Sequence, residues 1–451
     1  MAYASTNPFT GEVVAEFPSA TDAEVDAALA AAHTAFAAWA ATPVADRASM
    51  LRRAATLMRE RDEELARLAT LEMGMTTAIS LAHASTVAPG ILDYYATHAA
   101  EFLAAEPLGD GAKIVREPAG IVLAIEPWNV PYYQLARAVA PNLVAGNVVI
   151  LKHASIVPQC SRAIESVFRD AGFPAGVFTN VYATHEQTSR IIRDPRVRGV
   201  TFTGSDAAGK LVAAEAGTAV TPAVLELGGS DPMVVLDDAD LDLAVTHAMS
   251  RFRLCGQTCV SPKRIIVAAA RYDDFLRLYL QRCETLVAGD PTDPDVTLGP
   301  LSSQSQADTV KAQIETAVAG GATAIEAGAA VPTTGAFVQP TILTDVAPTN
   351  PLYGEEIFGP VPMVFSAADD ADAVRLANDT RYGLGGSVFS ADPVRAERVA
   401  RQIDTGMVWI NHAAGTEARL PFGGTKQSGY GTELGREGLY QFLNNKLIHR
   451  P

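Results

Sequence analysis

Apolar residues recur at helical spacing through the first part of the chain, then give way to short apolar runs separated by helix-length segments. Val25, Ala28, Leu29 and Ala32 form one stripe, Leu51, Ala54, Leu57 and Met58 a second, and Leu65, Leu68 and Leu71 a third. Residues three and four apart share a helix face, so the stripes predict three amphipathic helices turned to a core. Thr21 and Glu24 precede the first stripe as a capping box. Further on, the pattern predicts strands at 121–125, 147–151, 177–181, 199–203 and 223–226, alternating with helices at 133–144, 158–170 and 206–216. Such alternation predicts a parallel sheet covered on both faces. A second α/β series starts near 233–236 and continues through 264–267, 272–287 and 308–319 before a glycine-punctuated, loop-rich stretch. Ligands of these sheets bind beyond the carboxyl ends of the strands. Asn129, Lys152 and Gly204 each fall just after one.

Composition narrows the function classes. The 451 residues, 48% hydrophobic, are enough for two or three cores. Fifty-one acidic against 35 basic residues give a formal charge of -16. That surface repels phosphate backbones and argues against a nucleic-acid partner. Four cysteines without CxxC spacing point to a reducing compartment, and no His, Cys or carboxylate group has metal-ligand spacing. The start shows no basic-then-apolar leader, and no apolar run reaches membrane length. The expectation is a soluble, cytoplasmic protein without a metal.

Two residues carry candidate chemistry. Glu226 stands in Leu225-Glu226-Leu227-Gly228-Gly229 and Cys259 in Gly256-Gln257-Thr258-Cys259. They offer a base and a nucleophile beside glycines that let a backbone approach a ligand closely. Alone, Cys259 reads as a buried small hydrophobe. The run from Gly204 to Lys210 resembles a P-loop, but Leu211 stands where a Mg²⁺-holding Ser or Thr is required. The first half also lacks GxGxxG. A helix start at Gly204-Ser205 still suits a phosphate.

Seven segments stand in order: Pro127-Trp128-Asn129, Lys152-His153-Ala154-Ser155, Phe202-Thr203-Gly204-Ser205, Glu226-Leu227-Gly228-Gly229, Gly256-Gln257-Thr258-Cys259, Glu356-Ile357-Phe358-Gly359-Pro360 and Pro421-Phe422-Gly423-Gly424. Together they resemble the aldehyde dehydrogenase superfamily along almost the whole chain. The resemblance implies an α/β fold with a Rossmann-type cofactor domain (1–106 and 124–228), an α/β catalytic domain (229–430) and a small β oligomerisation element (107–123 and 431–451). It implies that Cys259 attacks an aldehyde, that the Asn129 amide and the Cys259 N–H form an oxyanion hole, and that Glu226 activates water to hydrolyse the thioester. Trp128, Asn129, Lys152, His153, Ala154, Ser155, Gly204, Ser205, Leu227, Glu356 and Phe358 are the implied contacts of an NADP or NAD cofactor. Lys152 and Glu356 would meet ribose, Gly204-Ser205 the pyrophosphate and Phe358 the nicotinamide side. NAD-specific members often carry Glu where Ser155 stands; a small neutral residue beside Lys152 removes a like-charge penalty against NADP.

Within the superfamily the chain looks most like bacterial succinate-semialdehyde dehydrogenases. Arg137 lies eight residues after Asn129 and Arg253 six before Cys259. In that branch, arginines at both positions hold the far carboxylate, a task suited to a guanidinium fork. Two departures favour neutral aliphatic or aromatic aldehydes as the alternative. Thr416-Glu417-Ala418-Arg419 stands where a serine contact is expected, with Glu417 placed to neutralise an arginine. Leu254-Cys255 replaces a polar pair. A CoA-acylating relative would lack the Glu226 base, and a non-catalytic structural member would have lost Cys259, Glu226 or Asn129. Cys255 reads first as a packed thiol and second as a redox partner of Cys259. Members assemble through a hairpin, here near 113–125, and a C-terminal strand, here 445–448, implying a homodimer or homotetramer.

Overall fold

All five apolar runs of the first α/β series form strands, and they lie side by side. The computed structural model describes residues 3–450. Its six-stranded sheet runs, in spatial order, Gly429–Tyr430, Ala223–Glu226, Val197–Thr203, Ile121–Glu126, Val148–His153, Phe178–Asn180. All pairings are parallel except the two-residue edge contributed by Gly429–Tyr430. Ile121–Glu126 and Val148–His153 are buried along their whole length, which explains why they read as continuous apolar runs.

The crossover helices start where sequence chemistry favours a start. Pro131–Ala145 and Pro158–Asp170 open on prolines, whose fixed φ and missing N–H cost nothing in a first turn. Gly146, left-handed at φ 103°, closes the former, which is buried throughout. Asp22–Ala41, Val44–Glu60 and Asp62–Met73 realise the three stripes, and the Thr21–Glu24 capping box is formed. These elements share one core, and a second core lies under a seven-stranded sheet. The order of that sheet is Thr323–Glu326, Thr341–Thr344, Met363–Ala367, Arg264–Ala268, Pro232–Val235, Ser387–Phe389, Trp409–Ile410, with only the first strand antiparallel.

Some expectations change. The helix expected at 272–287 is Tyr272–Cys283. It stops because Val287 is drawn into backbone pairing with Thr297. The hairpin expected near 113–125 is Glu106–Gly109 against Ala112–Pro118, turned by Gly109, Asp110 and Gly111, all at positive φ. Ile121–Glu126 instead occupies the interior of the six-stranded sheet, because its apolar side chains need cover on both faces. The C-terminal strand is Leu443–His449, antiparallel to Ala112–Pro118. Residues 431–442 lie outside this small sheet, and Gly435–Leu439 is a helical turn. The expected 107–123 and 431–451 segments therefore match the small sheet only in part. Of the expected domain limits, residues 1, 2 and 451 fall outside the described residues.

Candidate active site

A cavity of about 250 Å³ opens where the six-stranded sheet presents its carboxyl ends to the second α/β unit. Cys259 and Asn129 border it, with Trp128 and Phe358 meeting edge to face at 5.7 Å between ring centres. Gly204, Ser205, Leu227 and Glu356 continue the wall. Seven of the predicted cofactor contacts (Trp128, Asn129, Gly204, Ser205, Leu227, Glu356, Phe358) thus share one surface with Cys259.

The loop that carries Cys259 is held by groups that the sequence did not mark. Arg251 is fully buried and donates to the carbonyls of Gly256 and Val361 and to the Ser261 hydroxyl. Lys263 Nζ donates to the carbonyls of Thr258 (2.8 Å) and Cys259 (2.6 Å) and pairs with Glu356 at 3.1 Å. Leu254 and Cys255 are both left-handed, at φ 53° and 51°, a conformation that costs a non-glycine residue on the order of 1 kcal/mol or more. Gly256 follows at φ 73°, where an added Cβ would lie 2.0 Å from the Gly359 carbonyl oxygen.

Asn129 is oriented by its neighbours. Gln134 Nε2 donates to its Oδ1 at 3.2 Å, so the amide nitrogen faces the loop and donates to the Gln257 carbonyl at 3.1 Å. One N–H of that amide remains beside Cys259. Gln134 was not legible in the sequence, because only its place one turn into the Pro131–Ala145 helix gives it meaning. Burial pushes the Cys259 thiol up to about 11, against the opposing fields of Arg137 and Lys263. The Cys259 side chain therefore rests as a thiol.

Glu226, which the resemblance implies activates water, is not among the residues that line the cavity. It ends its strand buried at 2% exposure, and neither carboxyl oxygen has a hydrogen-bond partner. Burial holds its carboxyl well above the ordinary carboxylate pKa range, with Arg137 opposing and Glu433 reinforcing the shift. The next two residues, Leu227 and Gly228, do line the cavity.

Arg137 is placed differently from the expected carboxylate fork. It is fully buried, ion-paired with Glu433, and donates to the hydroxyls of Tyr133 and Thr203, each at 3.3 Å. Its guanidinium also stacks on the Phe422 ring. Arg253 is exposed and pairs with no acid among the described residues. Burial, with the Arg253 charge adding to it, pushes neighbouring His83 down to about 4. His83 in turn meets the Tyr133 ring. Glu417 pairs with Arg419 at 2.8 Å and leaves both other arginines alone. Thr416 supplies a hydroxyl where the serine was expected, bonded to the Tyr133 hydroxyl at 2.7 Å.

Lys152 is nearly buried, and desolvation pushes it down to about 8. Ser155 lies in the following turn, where its carbonyl accepts from Ala4 N–H. His153, expected among the cofactor contacts, turns inward: Nε2 meets the Pro131 carbonyl and Nδ1 accepts from Ala154 N–H. Side chains alternate along a strand, so Lys152 and His153 must face opposite sides. Cys255 is buried and packs in the second core, while Cys259 packs against the first, in keeping with the packed-thiol reading of Cys255.

Residues 1–448 match the aldehyde dehydrogenase family. An NADP(+) succinate-semialdehyde dehydrogenase of Deinococcus radiodurans is 46% identical over 451 residues, spanning 99% of this chain and 94% of its own. A protein of the same description from Mycobacterium tuberculosis H37Rv is 44% identical, spanning 99% of both. The crystal structure of a succinic semialdehyde dehydrogenase from Streptococcus pyogenes with NADP+ superposes over 100% of both chains, with a TM-score of 0.97 and 40% identity.

Proposed function

This chain belongs to the aldehyde dehydrogenase family, and on that premise we propose that it oxidises succinate semialdehyde to succinate with NADP. The observation that carries the reading is Cys259 in a cavity with a pre-oriented Asn129 amide and an aromatic wall. Cys259 gives its thiol proton to solvent water, its sulfur adds to the aldehyde carbon, and the oxygen that gains charge is met by the Asn129 amide and the Cys259 N–H. Donors aimed at such an oxygen are worth about 3–4 kcal/mol. Bound NADP supplies hydride acceptance. Once the thiohemiacetal has become a thioester, Glu226 takes a proton from the attacking water. Its carboxyl breaks no hydrogen bond in turning from its buried position toward the cavity.

The residues present fit a dinucleotide. The fourteen-residue helix Asp206–Ala219 begins at Gly204-Ser205 and offers its first N–H groups to a pyrophosphate. Lys152 and Ser155 suit the adenosine ribose and its 2′-phosphate, since no acid stands at 155. Glu356 suits the other ribose once its contact with Lys263 is shared. The far carboxylate of the substrate meets Arg253, the one of the two arginines without a carboxylate of its own, and the Thr416–Tyr133 hydroxyl pair. The exposed Leu447 and Ile448 of the C-terminal strand support assembly as a homodimer or homotetramer. Four free cysteines support a cytoplasmic setting.

The test is an aldehyde panel without CoA, followed by NADPH formation. Succinate semialdehyde should exceed propanal and benzaldehyde in kcat/KM, and Cys259→Ala should abolish turnover of all three. A preference for the neutral aldehydes would replace the substrate assignment, and CoA-dependent turnover would replace the hydrolytic one.

A further inference from the structure

Behind the cavity wall lies a buried carboxyl that the reaction as described does not use. Glu126 ends the strand Ile121–Glu126 at 3% exposure, and neither of its oxygens has a hydrogen-bond partner. Register places it with care. Ile125 pairs with Phe202, so Glu126 falls beside Thr203, and Thr203 pairs with Glu226. Partners in a parallel sheet point to the same face. Glu126, Thr203 and Glu226 therefore form one row across three neighbouring strands. The two glutamates are two strand spacings apart, about 10 Å between Cα atoms, with a hydroxyl between them.

That hydroxyl has one proton to donate and two lone pairs to accept with. Arg137 Nη2 donates to it at 3.3 Å. The same guanidinium pairs with Glu433, which also accepts from the Thr201 hydroxyl at 2.8 Å. One buried cation thus faces three buried carboxyls, those of Glu126, Glu226 and Glu433. The remaining neighbours bring no further charge. His153 stands opposite Glu126 on the other side, but both ring nitrogens are engaged and burial pushes it down to about 4, so it is neutral. Burial first, and then the Glu433 charge, holds the Tyr95 phenol well above its ordinary pKa, so it stays neutral. With Arg137 matched by Glu433, two carboxyls are left in one water-excluded pocket, where like charges resist ionising together.

We propose that Glu126 is a positioning residue for the hydrolytic half-reaction: standing in one row with Glu226 across Thr203, it competes with Glu226 for a single proton and sets the pH at which Glu226 begins to act as a base. When the proton rests on Glu126, Glu226 is ionised. Water then adds to the thioester carbonyl, its proton goes to Glu226, the C–S bond breaks and the sulfur leaves as the Cys259 thiolate. When the proton rests on Glu226, the base is silent. Burial and the Glu433 and Glu226 charges hold Glu126 well above the ordinary carboxylate range, as the shared proton requires.

The proposal rests on Glu226 being the hydrolytic base, and the experiment separates the two. Rapid mixing of enzyme, NADP and succinate semialdehyde reads hydride transfer as a burst of NADPH and hydrolysis as the steady rate that follows. In Glu126→Gln the burst should stay near its wild-type amplitude. The pH midpoint of the steady rate should fall by about one unit or more, because a neutral amide no longer competes with Glu226 for charge. Glu126→Asp, which keeps a carboxyl, should hold the midpoint close to wild type. An unmoved midpoint in Glu126→Gln, or an equal displacement in both variants, overturns the proposal. Infrared spectra of the wild-type enzyme give a reading that needs no variant: a protonated carboxyl should persist at neutral pH, and its absence is contradictory. Loss of the burst in the wild type itself would sink the aldehyde-oxidation reading instead.

Discussion

Arg137 and Arg253 carry the same charge into opposite situations, and their substitution should separate binding from structure. Arg137 is the buried partner of Glu433, and removing one member of such a pair costs about 3–5 kcal/mol. Arg137→Ala should lower the unfolding free energy by that order and impair every aldehyde alike. Arg253→Ala should leave thermal stability unchanged and raise KM for succinate semialdehyde several-fold more than for propanal. Equal effects of the Arg253 change on both aldehydes would remove it from substrate recognition. Lys152 supports a second prediction at this scale. Burial has lowered its proton affinity, so its ammonium dominates below about 8 and is lost above it. KM for NADP should therefore rise as pH passes upward through that value, while KM for NAD, which has no 2′-phosphate, rises less. Parallel pH dependences for the two nucleotides would contradict the contact.

At the scale of the element, the sequence was legible wherever local chemistry and burial agreed. The helix Pro158–Asp170 begins on its proline, the Thr21–Glu24 box forms, and the apolar runs become strands. What escaped were elements whose reason lies elsewhere in the chain. Gly429–Tyr430 is a strand only because the edge of Ala223–Glu226 lies open to it, and the hairpin shifted because Ile121–Glu126 was claimed by the large sheet. The site divides in the same way. Cys259, Asn129 and Gly204 were readable from their motifs. The burial of the Glu226 carboxyl without a hydrogen-bond partner, and the work of Gln134, Lys263 and Glu433, depend on side-chain packing, which no motif records. The C-terminal strand Leu443–His449 gives a prediction of its own. It pairs with Ala112–Pro118 within one chain while Leu447 stays 62% exposed. Leu447→Lys should shift sedimentation toward monomers and leave the fold intact by circular dichroism; an unchanged assembly would exclude this face.

Taken as a whole, the proposed reaction is divided between the two large sheets. The six-stranded sheet brings Asn129, Gly204 and Glu226 to one set of strand ends, and the second unit delivers Cys259 on a loop clamped by Arg251 and Lys263. The central claim is that sulfur bonding and water activation belong to different residues, Cys259 and Glu226. Mass spectrometry of Glu226→Gln after mixing with succinate semialdehyde and NADP tests this most directly. The account predicts about one NADPH per active site, little turnover afterwards, and a succinyl group trapped on the peptide that carries Cys259. Continued wild-type turnover, or an acyl group on Cys160, Cys255 or Cys283, would contradict it.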